Sequence, residues 1–110
     1  MNTLEFFIQK LFWLLSMHAL IDFHTQFPFA AYKKKDPYII LAHSFLWTAG
    51  LVLVLSYFDT VVPLWKILFL FFGHALCDWS KHRFFPGSAF IKNTIDQSFH
   101  FVQILITAIF

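Results

Sequence analysis

Charge is what this chain has least of. Asp, Glu, Lys and Arg make up only 13% of its 110 residues, where soluble domains carry about a quarter. With 59% apolar residues, a soluble fold of this length has too little interior to hide its apolar surface, so lipid must solvate part of it. That excludes an ordinary water-soluble domain and leaves a single-unit integral membrane protein. Cysteine is nearly absent as well. The lone Cys77 rules out an internal disulfide and says little about redox compartment. A cleavable leader is missing: residues 1–24 lack a basic start and a small-residue cleavage site, and they contain His18 and Asp22. The first apolar run therefore reads as a retained helix. Nucleic-acid binding has little support, because the basic residues are spread over two short loops and membrane topology already accounts for them.

What the chain does have is four apolar runs, each close to the ~20 residues of a spanning helix: roughly 4–24, 38–58, 62–80 and 90–110. The fold class expected is all-α, an integral membrane four-helix bundle made of two pseudo-repeated helical hairpins. "NTLE" at the start resembles a capping box. Asp36 and Pro37 suit an N-cap and first helical position. "YFDTVVP" and "RFFPGS" make turns, and the fourth helix can start from Ser88.

Basic residues set the orientation. Lys33, Lys34 and Lys35 lie between the first and second runs, and Lys81, Arg83 and Lys92 lie around the third connection. Lys10 and Lys66 alone fall toward the other side. Both basic loops are thus expected in the cytoplasm and both termini outside, in a bacterial inner membrane. The abundant aromatics, 17 Phe among them, suit lipid-facing and interhelical packing and imply no cofactor.

Two stretches are nearly identical: "HALID" at His18–Asp22 and "HALCD" at His74–Asp78. His43 follows His18 by 25 residues and His100 follows His74 by 26, so each half reads as one hairpin and the repeat is parallel. A spacing of four stacks two side chains on one helix face. This holds for His18 with Asp22, His74 with Asp78, and Asp96 with His100, while Gln26 continues the first stripe. At about 1.5 Å per residue, these residues and His43 fall at one depth, in the cytoplasmic half of the bundle.

Ionisable residues at such depth normally face the bundle interior or a wet cavity. Imidazole and carboxylate are ligands for divalent transition metals, and four-helix bundles build such centres from inward carboxylates and histidines. His18, Asp22, His74, Asp78 and His100 are the expected ligands of one or two Zn or Mn ions. Asp96 or His43 would be a general base or would orient a ligand, and Lys81 would steady an anionic group. The competing reading is a metal-free network of His–Asp hydrogen bonds. His24 and His82 fall off the stripes, and Cys77 reads as a packing residue because Ile21 occupies its place in the first copy.

The pattern His18-x3-Asp22-x3-Gln26, a following lysine, His43, His74-x3-Asp78-x2-Lys81 and Asp96-Gln97-x2-His100 resembles the small bacterial and phage membrane proteins grouped as domain of unknown function 3307. The resemblance covers nearly the whole chain. It implies four membrane helices and a bacterial or phage origin, and no activity.

From the residues alone, the leading functional reading is a metal-dependent membrane hydrolase of a phosphoester or lipid-linked substrate. Against that reading, no nucleophile motif or substrate pocket can be read. A metal or proton transport component is the second reading. It is disfavoured because polar residues do not continue into the outer halves of the second and fourth helices, where "LVLVL" and "ILITAIF" read as apolar. The third is a non-enzymatic phage effector that binds a host membrane protein. The bilayer is the expected partner, with self-association or a host protein as further candidates.

Overall fold

A computed structural model describes residues 2–29, 37–81 and 83–110, with side chains of 23–29 excluded. The described residues form four α-helices and no strand: α1 (Thr3–Phe29), α2 (Pro37–Phe58), α3 (Leu64–Lys81) and α4 (Ala89–Ile109). Each helix packs on its chain neighbours, and α4 closes the ring against α1. The result is an up-down-up-down bundle 45 Å long and 25 by 22 Å across.

The helix ends follow local chemistry. Asn2 Oδ1 accepts from the Glu5 backbone N–H at 2.8 Å, satisfying one of the free donors of the first turn. Ser88 caps α4, its hydroxyl accepting from the Ile91 N–H. Gly87, at φ +90, makes the turn that an L side chain would resist. Pro37 is the first residue of α2. Asp36, Lys33, Lys34, Lys35 and His82 lie outside the described residues, as do the side chains of His24 and Gln26. The first helix runs five residues beyond the expected end, to Phe29.

Burial is inverted relative to a soluble bundle. Among the described side chains of α1 the buried positions are Lys10, Leu14, His18 and Asp22, one every four residues. On α3 the corresponding stripe is Lys66, Leu70, His74 and Asp78. Meanwhile large apolar side chains point outward on every helix, among them Phe12, Phe45, Leu53, Phe72, Leu76 and Phe101. An apolar cluster of Leu14, Trp47, Leu51, Leu55, Leu70 and Ile104 fills part of the interior, and the polar residues occupy the rest. Among the described residues, α2 and the part of α1 from Thr3 to Asp22 are long and apolar enough to cross a membrane.

At the end of the bundle where α1 begins, Lys10 Nζ bonds Asp59 Oδ1 at 3.0 Å and the Ala108 carbonyl at 3.1 Å. Lys66 Nζ bonds the Thr107 carbonyl at 2.8 Å. Both ammonium groups therefore meet the last carbonyls of α4, the negative end of its dipole. The C-terminal half of α4 is not wholly apolar: Gln103 and Thr107 are buried, the latter inside "ILITAIF".

Candidate metal centre

Four helices deliver histidine or carboxylate to a single level beside Trp47. That indole is fully buried at the boundary between the apolar cluster and the polar layer, with ring centroids 4.4 Å from His74, 5.3 Å from His100 and 5.9 Å from His18. Above it, two groups of three candidate ligands form, each with its donor atoms within 4.8 Å of one another: Asp22, His43 and His74, and Cys77, Asp96 and His100.

In the first group, Asp22 Oδ1 lies 3.0 Å from His43 Nε2 and 3.6 Å from His74 Nε2. The other nitrogen of His74, Nδ1, is 3.1 Å from Ser44 Oγ. His74 is 1% exposed, and its Nε2 makes no hydrogen bond. An unsatisfied buried nitrogen costs about 1–3 kcal/mol, so this atom, aimed at a carboxylate oxygen, is where a cation fits the donor set best. Aspartate with two imidazoles is also a set that Zn and Mn accept.

His18 stands outside both groups, and its contacts explain what it does. An indole N–H only donates, so the 2.8 Å contact from Trp47 Nε1 makes His18 Nδ1 an acceptor. The proton of the neutral ring then sits on Nε2 and is donated to Gln97 Oε1 at 2.8 Å. That fixes the amide of Gln97, whose Nε2 donates to Asp22 Oδ2 at 2.7 Å and reaches Asp96 Oδ2 at 3.4 Å. A relay from Trp47 through His18 and Gln97 thus orients the Asp22 carboxylate, a support that metal ligands commonly need.

Of the residues singled out from sequence, the structure brings Asp22, His43 and His74 together and Asp96 and His100 together. His43, expected as a base or orienting residue, joins Asp22 as a candidate ligand. Asp96 has both oxygens engaged: Oδ1 by Cys77 Sγ at 3.3 Å and His100 Nε2 at 3.1 Å, Oδ2 by Gln97 and by Lys81 Nζ at 3.7 Å. Asp78 is buried on α3 and belongs to neither group. Sequence reasoning missed Gln97 as the link between carboxylates and discounted Cys77. Gln97 stands in the pattern Asp96-Gln97-x2-His100 without a role of its own. The pseudo-repeat worked against Cys77.

A groove of about 620 Å³ opens over α4 beside His18, lined by Asn93, Thr94, Gln97, Ser98 and Phe101. Gln97 lines the groove and bonds the buried Asp22 carboxylate, so its side chain stands between the groove and the candidate centre. Comparisons with family models, curated proteins and solved structures each find no significant match.

Proposed function

We propose that this chain is a multi-pass bacterial inner-membrane protein that holds a divalent transition metal, Zn or Mn, on Asp22, His43 and His74. We further propose that it hydrolyses a phosphoester or lipid-linked substrate there. The observation that carries the metal reading is His74 Nε2, buried without a hydrogen bond 3.6 Å from Asp22 Oδ1. A bound divalent ion of this kind lowers the pKa of a water and polarises a scissile group. The protein's own residues orient and select. The His18–Gln97 relay holds Asp22, and Lys81, paired with Asp96, supplies positive charge for an anionic headgroup. The groove beside His18 combines Phe101 with the amides and hydroxyls of Asn93, Thr94, Gln97 and Ser98, a lining suited to an amphiphile.

Membrane residence is supported by the inverted burial, with ionisable residues inside and Phe and Leu outside, since water would not favour that arrangement. The equal 56-residue separation of Lys10 and Lys66, Leu14 and Leu70, His18 and His74, and Asp22 and Asp78, all buried, supports two repeated hairpins. The basic loops then face the cytoplasm and both termini the outside.

The test is release of phosphate from a lipid phosphomonoester in vesicles containing the purified protein. Activity should vanish with chelator, return with Zn or Mn, and be absent in Asp22→Asn. Hydrolysis that is indifferent to chelator and to Asp22→Asn contradicts the reading.

A further inference from the structure

The second ligand group has a feature that its neighbours impose from outside. Gln103 Nε2 donates to the Phe69 carbonyl at 3.0 Å, and a carbonyl only accepts. Gln103 Oε1 therefore faces His100 Nδ1, 3.1 Å away, and must receive its proton. In the neutral ring, that leaves His100 Nε2 as a bare lone pair. It points at Asp96 Oδ1, 3.1 Å distant, in a side chain only 1% exposed. Two electron-rich atoms at that separation in a dry interior repel unless something positive lies between them. The same oxygen also meets Cys77 Sγ at 3.3 Å. Nitrogen, oxygen and sulfur thus converge on one point, built from α3 and α4 alone.

We propose that Cys77, Asp96 and His100 hold a second divalent ion, distinct from that on Asp22, His43 and His74, and that its chemistry favours Zn. The inference extends the metal reading of the layer to a second group, which its own donor atoms carry independently of the first. A thiolate ligand selects Zn over Mn, which prefers oxygen donors, and tetrahedral Zn sites combine Cys and His with an open fourth position. On binding, the Cys77 thiol forms its bond to the ion and releases its proton to the buffer. Asp96 Oδ2 keeps Lys81. Gln97, reaching Asp22 Oδ2 and Asp96 Oδ2, spans the two sites.

The experiment is titration of the purified, metal-free protein in lipid nanodiscs with Co²⁺, followed by its optical spectrum. A thiolate ligand gives a near-ultraviolet sulfur-to-cobalt charge-transfer band that nitrogen and oxygen ligands do not. Two equivalents should bind, one of them raising that band. Cys77→Ser and Cys77→Ala should each abolish the band and one equivalent. Asp22→Asn should remove the other equivalent and leave the band. Helical circular dichroism, unchanged in the variants, separates these losses from misfolding. One equivalent without the band, lost in Asp22→Asn, overturns the second site and leaves the first standing, with a proton on His100 taking the place assigned to the ion. A band with one equivalent that survives Asp22→Asn upholds the Cys77 site and removes the first. No Co²⁺ binding at all overturns both.

Discussion

The imidazoles of His74 and His100 lie face to face, their centroids 4.2 Å apart and their planes 10° from parallel. His74 belongs with Asp22 and His43, and His100 with Cys77 and Asp96, so this stack is the joint between two ligand groups. It makes the two groups mechanically dependent, because neither ring can tilt without displacing the other.

From this follows a contrast between two variants. Asp22→Asn removes a proposed ligand and should weaken metal at the first group by more than the roughly 10–100-fold that changes around a metal's ligands cost, leaving His100 in place. His74→Ala removes a proposed ligand and the packing surface of His100 together, so it should also loosen the group on α3 and α4. Metal affinity of each variant, measured by competition with a chromogenic chelator, checks the difference.

The relay from Trp47 through His18 to Gln97 and Asp22 predicts non-additivity. Gln97→Ala and His18→Ala should each reduce metal affinity by about 10–100-fold, as loss of an orienting partner does. The double variant should be no worse than the poorer single one, since both break the same chain. Additive losses in that double-mutant cycle would mean that His18 binds the metal itself, as its sequence position suggests.

Two helical glycines should answer differently to alanine. A Cβ at Gly73 meets the amide nitrogen of Gln103, which cannot move without leaving the Phe69 carbonyl and His100. Gly73→Ala should cost about 1–3 kcal/mol. At Gly50 the nearest atom is the terminal methyl carbon of Ile21, with Met17 Cγ at 3.0 Å. Those flexible ends can shift, and the gain in helix propensity, about 1 kcal/mol, offsets the crowding, so Gly50→Ala should be near neutral. Unfolding in mixed detergent micelles provides the comparison.

The lysines at the opposite end should matter to stability and not to metal. Lys10→Met deprives Asp59 and the Ala108 carbonyl of their donor, at about 1–3 kcal/mol. Metal content of the folded variant should equal that of the parent chain, and elemental analysis of the purified protein decides it.

Much of this arrangement is legible in the sequence because polar residues are conspicuous in apolar runs. A histidine and an aspartate four apart in an apolar helix must share a face, and depth then brings His43 and His100 to the same level. Partner choice is harder to read. Spacing treats His18 and His74 as equivalents, yet both ring nitrogens of His18 are hydrogen-bonded, by Trp47 and Gln97, while His74 bonds Ser44 through Nδ1 and makes no hydrogen bond through Nε2. Likewise Asp22 and Asp78 match in sequence, but the second group is built on Asp96 from α4. Cys77 is discounted by comparison with Ile21, which faces Gly50 and not a carboxylate. These differences arise between helices, where a linear pattern carries no information.

Elemental analysis of the protein purified from membranes, without added metal or chelator, decides whether the layer beside Trp47 holds metal. At least one equivalent of Zn or Mn per chain is expected, falling by at least one equivalent in both Asp22→Asn and His74→Ala while helix content is unchanged. A folded parent chain free of transition metal, or full metal content in either variant, would rule out a metal held on Asp22 and His74.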